Sequence, residues 1–333
     1  MQSRAEKFMR RQWQRLGPWH LALIPLSWLF ILLSTSRRFA YRIGLFKSFS
    51  LPVPVIVVGN ITVGGSGKTP LVIWLADLLQ RDIYTPAIIS RGYKGSARSL
   101  SPVHADSDPA VAGDEPVLIA RRGPWPVWVG RDRVEVARSL LGAHPECNVI
   151  ISDDGLQHYR MRLDIEIAIV DGDSEFGNGY RLPAGPLRES RKRLDTVDAV
   201  VWNGGKAKAP AFQMRLQGTV FHSVVDDEKT ATAREFKDMR IAAIAGIGNP
   251  DRFFRQLNAL GLSFQEISFP DHHSFQPRDL QSFDSDVILM TEKDAVKCAA
   301  FAQAGWWFLP VEAEVDEALA TFILNTLRTK NGS

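Results

Sequence analysis

Cysteine is the scarcest residue with chemistry of its own in this chain: Cys147 and Cys298 are the only two among 333 residues. They form no CxxC pair and no Cys/His cluster at zinc spacing, which excludes a disulfide framework and a structural zinc and fits a reducing compartment. Low-complexity tracts and internal repeats are missing as well. With 45% hydrophobic and 23% charged residues, disorder and collagen-like structure are excluded, and the length suits about two globular domains. Acid is nearly missing from one region. Residues 1–50 hold a single acid, Glu6, against nine Lys or Arg. That head carries a net +8, so the remaining 283 residues carry a net −5 within a whole-chain charge of +3. Such asymmetry belongs to a nucleic-acid arm or to a membrane-facing segment on a mildly acidic body.

The head also lacks an apolar run of transmembrane length. Its apolar block, Leu21–Leu33, is broken only by Pro25 and Ser27, and no Asp, Glu, Lys or Arg falls between residues 16 and 36. Thirteen helical residues reach about 20 Å, short of the roughly 30 Å hydrocarbon core of a bilayer. The pattern predicts a helix lying in or dipping into one leaflet, with Trp13, Trp19, Trp28 and the flanking basic residues at an anionic surface. A cleaved signal peptide is disfavoured because Arg37 and Arg38 follow the block directly and no A-x-A site appears. A nucleic-acid arm would have no such block, so no nucleic-acid partner is expected.

What is present next is a phosphate loop. The apolar run Val55–Val58 predicts a buried parallel strand, and the segment from Leu71 to Arg81 has apolar residues at 71, 72, 75, 78 and 79, one face of a helix. Between them stands GNITVGGSGKTP, residues 59–70. Strand, glycine-rich loop and Gly-Lys-Thr opening a helix are the context a P-loop requires. Backbone N–H groups of Thr62, Val63, Gly64, Gly65, Ser66 and Gly67 would curl around phosphates, Lys68 would reach the β- and γ-phosphates, and Thr69 would place its hydroxyl on Mg²⁺. Thr62 occupies a position where the usual pattern has glycine.

A second strand, Asn148–Ser152, ends in Asp153-Asp154-Gly155. A carboxylate at the carboxyl end of a strand beside the P-loop strand would hold Mg²⁺, and a turn is the competing use of Asp-Asp-Gly. Asp114, in Gly113-Asp114-Glu115-Pro116, is expected at a helix N-cap and could also serve as a general base. On these features alone, a kinase and a membrane-recruited regulatory NTPase that transfers no phosphate are equally served.

Eight segments then occur in order: GNITVGGSGKTP, SRGY, GDEP, ISDDGLQH, LPAGPLRE, AGIGNP, FPDHHSF and TEKDAVK. Together they closely resemble the tetraacyldisaccharide 4′-kinase family, from the apolar helix to about residue 325. The resemblance implies an ATP- and Mg²⁺-dependent enzyme of lipid A biosynthesis at the cytoplasmic face of the bacterial inner membrane. Such an enzyme would phosphorylate the 4′-hydroxyl of a tetraacylated glucosamine disaccharide 1-phosphate and act as a monomer. Thr62 is usual for that family. The resemblance further implies that Asp114 is a catalytic base acting with His272, that Asp153 and Asp154 are the acidic pair near Mg²⁺, and that Tyr93, Gln157, His158 and Arg188 face the acceptor or the transferred phosphate.

Strand and helix signals alternate to the end of the chain, with strands expected at 240–245, 263–269, 287–290 and 307–311, and a helix at 316–328. The expected fold class is α/β: a P-loop NTPase-like parallel-sheet domain, a smaller α/β domain and a membrane-associated N-terminal helix. The expected division is 1–48 for the head, 49–208 for the P-loop domain, 209–228 for a two-stranded linker and 229–330 for the smaller domain. With the P-loop on one unit and His272 on the other, the site should lie in the cleft between them.

Overall fold

Short apolar runs without polar alternation become the centres of two sheets. The structure, a computed structural model, describes residues 12–92, 100–208, 210–281 and 283–331. In the first sheet, strands β1 (Val55–Gly59), β2 (Pro86–Ser90), β3 (Ser101–Val103), β4 (Val127–Val129), β5 (Val149–Asp153), β6 (Ile165–Asp171), β7 (Ala199–Asn203) and β8 (Phe212–Gln217) lie in the order β8-β7-β6-β1-β5-β2-β4-β3. All neighbours are parallel except β3, which runs antiparallel to β4. Strands β1, β2 and β5 are buried at every residue, as parallel strands covered on both faces must be.

The second sheet holds β9 (Val220–Ser223), β10 (Thr230–Thr232), β11 (Ile241–Ala245), β12 (Gln265–Ser268), β13 (Val287–Thr291) and β14 (Trp306–Leu309), in the order β10-β9-β14-β13-β11-β12. A last strand, β15 (Glu312–Val315), returns to the first sheet and pairs antiparallel with β8. The two strands expected at 212–225 therefore form no ribbon with each other. β8 sits near the edge of one sheet, and β9 joins the other beyond Gly218.

The helices follow their apolar faces. They are α1 (Pro18–Arg42), α2 (Lys68–Arg81), α3 (Asp114–Arg122), α4 (Arg133–Ala143), α5 (Pro250–Ala259), α6 (Glu292–Cys298) and α7 (Glu317–Asn331), with some single turns between them. Helix α2 buries Leu71, Val72, Leu75, Ala76 and Leu79. They share a core with Leu319, Ile323 and Leu327 of α7. Residues 312–331, grouped by sequence with the smaller unit, thus pair and pack with the P-loop sheet. Full burial of each large aliphatic side chain contributes about 1.5–3 kcal/mol, which ties the C-terminus firmly to this core.

Helix α1 is longer than its apolar block. Its 25 residues span about 37 Å, because the helix continues through Ser34–Arg42. One stripe of it is fastened to the body: Ser27 Oγ donates to Arg181 O at 2.9 Å and accepts from Ala184 N at 3.1 Å. His20 meets Asn178 on the same side. The other side exposes Leu21, Leu26, Trp28, Leu29, Leu32 and Leu33, each more than half accessible.

Candidate active site

Strand β1 lies between β5 and β6, so the loop leaving its carboxyl end emerges where the sheet's strand order switches, the usual place for a ligand in an open α/β sheet. The register sets Val58 beside Asp153, which carries the acid to the same edge as the P-loop. Gly67 is the N-cap of α2 with φ +94°, a left-handed conformation that glycine adopts without strain. Two asparagines hold this loop. Asn60 Nδ2 donates to Ser66 Oγ at 3.1 Å, and Asn203 Nδ2, from the end of β7, donates to Ser66 O at 2.9 Å. Residues 63–69 line a cleft of roughly 860 Å³ between the two sheets. Thr62 stands just before them, bridged to Leu187. Its φ is not among the positive ones, so the backbone does not require glycine there.

The strand-end acids are held differently. Asp154 turns with φ +51° and meets Lys68 Nζ at 3.4 Å and Arg188 Nη1 at 3.1 Å. Burial would raise its pKa, but Lys68, Arg188 and Arg133 outweigh burial and keep the carboxyl well below the usual carboxylate range. Asp153 is almost wholly buried; Ser90 Oγ donates to its Oδ2 at 3.2 Å, and its Oδ1 has no hydrogen-bond partner among the described residues. Burial, then the negative charges of Glu115 and Asp154, push it up to about 7. A buried, unpartnered carboxylate oxygen beside Thr69 and Lys68 fits a divalent cation carried in with phosphate. Among the described residues no group of three or more His, Cys, Asp or Glu could hold a metal ion by itself, so phosphate oxygens would have to complete the shell. Arg133 Nη2 donates to the main-chain oxygens of both Asp153 and Asp154, at 2.8 and 2.9 Å, and fixes this corner.

The facing wall comes from three separate elements. Asp114 is not an N-cap: Gly113 takes that position, and Asp114 is the first residue of α3. The residue is 5% exposed, and its side chain turns toward His272 of the second unit. His272 Nδ1 lies 2.9 Å from both Asp114 carboxylate oxygens. His272 sits at φ +57° in the loop after β12, and its N–H donates to Gly246 O. The neighbouring His273 is engaged elsewhere, stacked on Phe269 and bonded to Asp279. Lys293, on the first turn of α6, reaches Glu115 Oε1 at 3.0 Å and Asp114 Oδ2 at 3.7 Å. For Asp114 burial is again the largest influence and an upward one. The Lys293 ammonium, then the His272 hydrogen bond and charge, reverse it and hold the carboxyl well below the ordinary range.

Lys68, Thr69, Asp153, Asp154, Gln157, Arg188 and His272 all line this cleft, and Asp114 is paired with His272. Gln157 is tied down there, donating to Asn60 O at 3.1 Å and Glu189 Oε1 at 2.7 Å. His158 is not among the lining residues; burial, then Arg133, Arg37 and Arg91, push its pKa down to about 4. Tyr93 lies outside the described residues. Sequence reasoning missed Asn203, Glu115 and Lys293 as parts of the site. The last two stood inside the GDEP and TEKDAVK segments, and nothing local to either segment said that they meet. The two walls touch at a second point: a Cβ on Gly248, in AGIGNP, would lie 2.3 Å from Gly65 N, a distance that only glycine permits.

Residues 19–328 match the family model described as tetraacyldisaccharide-1-P 4′-kinase. The chain is 51% identical over 321 residues to a tetraacyldisaccharide 4′-kinase of Methylobacillus flagellatus, covering 96% of each chain. It is 48% identical to the protein of that name from Nitrosococcus oceani, covering 96% of this chain and 94% of the other. Among solved structures it resembles LpxK from Aquifex aeolicus, crystallised in complex with ATP, with a TM-score of 0.78 and 30% identity over 92% of this chain and 99% of that one. Full-length similarity at this level, on a P-loop fold, shows that the chain belongs to the tetraacyldisaccharide-1-P 4′-kinase family.

Proposed function

We propose that the cleft transfers the γ-phosphoryl group of ATP to the 4′-hydroxyl of a tetraacylated glucosamine disaccharide 1-phosphate, with Asp114 and His272 activating that hydroxyl. The observation that carries this reading is the meeting of the Asp114–His272 pair with the Lys68 and Asp153 wall in one cleft. A sugar hydroxyl is a poor nucleophile. As its oxygen bonds to the γ-phosphorus and the bond to the β-phosphate oxygen breaks, its proton must leave. Asp114 accepts that proton, and His272 holds the carboxylate in place and can receive the proton from it. Lys68 and the N–H groups of residues 63–69 bear the charge on the β- and γ-phosphates. Mg²⁺, held by Thr69 and Asp153, would neutralise charge between the phosphates. Arg188 pairs with Asp154 across the cleft and stands where it can meet the transferred group.

The acceptor's acyl chains call for a lipid surface. The exposed leucines and Trp28 of α1, with Arg37, Arg38 and Arg42 at one end, suit an anionic leaflet at the cytoplasmic face of the inner membrane. The stripe fastened through His20 and Ser27 supports a helix held along the body and dipping into one leaflet. Phe30, Ser34 and Arg37 of the same helix line the cleft, which would bring a lipid headgroup directly to the phosphate loop.

The test follows the phosphate. Purified chain is incubated with γ-labelled ATP, Mg²⁺ and the detergent-solubilised acyl disaccharide. Label in the lipid is the expected result. Label released only as free phosphate, at a rate indifferent to the lipid, would favour a membrane-recruited regulatory NTPase.

A further inference from the structure

Lys293 has no part in the transfer as described, yet it occupies the centre of the acceptor wall. A lysine at the start of a helix opposes the helix dipole, where Asp or Glu is the usual occupant. Here its Nζ lies 3.0 Å from Glu115, 3.7 Å from Asp114 and 3.8 Å from Asp271, three carboxylates around one ammonium. Its side chain is 15% exposed. The other charges nearby are committed. Glu292 pairs with Arg122 on α3, and Lys297 pairs with Asp294 at 2.7 Å. From the loop after β12 come Asp271 and His272, and from α3 come Asp114 and Glu115. Burial works against the Lys293 charge, but Glu115, Asp114 and Asp271 outweigh it and hold the ammonium protonated.

We propose that Lys293 is the positioning residue of the Asp114–His272 pair, pinning the carboxylate in its ionised form and in one orientation across the junction of the two sheets. The inference rests on the reading of Asp114 and His272 as the hydroxyl-activating pair. Without the ammonium, Asp114, Glu115 and Asp271 would lose the cation they share, and like charges so placed favour one member keeping a proton. A protonated Asp114 has no place for the proton of the acceptor hydroxyl. Nucleotide binding is built mainly on the opposite wall, so the loss should fall on turnover rather than on ATP affinity.

The test compares Lys293→Met with Lys293→Arg in the full chain in detergent, with Asp114→Asn measured alongside. Lys293→Met should lower kcat by about 100-fold, the scale of one general-base contribution. KM for ATP should stay within about threefold, and the acid limb of the kcat/KM profile should move up into the measurable pH range, because an ionised Asp114 has lost its neighbouring cation. Lys293→Arg, keeping the charge, should restore kcat to within about tenfold of the parent and return the limb. If Lys293→Met does not fold, Lys293→Gln replaces it with the same expectations. Parental kcat in either uncharged variant overturns the inference. So does an equal loss in the Arg and Met variants with an unmoved limb, which would make the lysine a packing element. Parental turnover in Asp114→Asn would instead defeat the underlying reading of the pair; loss in Asp114→Asn with none in Lys293→Met defeats only this inference.

Discussion

The two walls of the cleft are built by different means. The nucleotide wall is mostly main chain: glycines, a helix start, and two asparagines that hold one loop. Its parts lie within a dozen consecutive residues, apart from Asn203 and the strand-end acids. The acceptor wall is all side chain. Asp114 and His272 are 158 residues apart in sequence yet 2.9 Å apart in space, and Lys293 arrives from a third element. A site made of backbone must be written contiguously, because only a continuous run of peptide units can curl around a phosphate. A site made of side chains can be assembled from any elements the fold brings together. The first kind should tolerate changes on the second without losing its ligand, and the variants below would break or sharpen that separation.

The largest effect is expected from Lys68→Ala, which removes the P-loop cation and leaves Asp154 with Arg188 and Arg133. Turnover should fall by at least about 1000-fold, of the order seen when a cation supporting phosphoryl transfer is lost. Equilibrium ATP titration should show affinity falling with it. Asp114→Asn should follow, with kcat down by about 100- to 10,000-fold as expected for a lost general base. A change confined to KM for the lipid would place Asp114 in binding instead. Gly248→Ala tests the contact between the walls. The added methyl would press on Gly65 N and should weaken ATP binding by about tenfold, a cost of about 1.4 kcal/mol within the usual range for overpacking. Unchanged affinity would show that the two loops part freely.

The smallest effect concerns neither wall but the charge behind them. His158 titrates near 4 in the folded chain and near 6.5 when unfolded. Between those values the unfolded state binds more protons, so its contribution destabilises the fold as pH falls from about 6.5 toward 4. His158→Gln should flatten that part of the stability–pH curve, read by thermal melting across the window. An unchanged slope would assign it to other groups.

Much of the nucleotide wall was legible because its chemistry is local: an apolar strand, a glycine loop and a helix face each announce themselves within ten or so residues. The sheets were less so. Strands β6 and β7 are largely apolar, like β1, but a short apolar run carries no sign of whether it becomes strand or helix, and no motif ends either one. The separation of β8 and β9 into different sheets was equally hidden, since pairing partners are chosen by the whole fold. Asp114 shows the limit clearly. Its place before Glu115-Pro116 read as a cap, and only the approach of the loop carrying His272 turns its carboxylate into a paired group. Lys293 left no readable signal, because its meaning lies in three carboxylates brought to it from two other segments.

The most direct test of separate walls is the ATP dissociation constant of the Asp114→Asn variant, measured by equilibrium titration beside the parent and Lys68→Ala. The account predicts that Asp114→Asn, although its turnover falls by about 100-fold or more, binds ATP within about twofold of the parent, or about 0.4 kcal/mol, while Lys68→Ala does not. A tenfold loss of ATP affinity in Asp114→Asn would contradict it, because the acceptor wall would then be part of the nucleotide site.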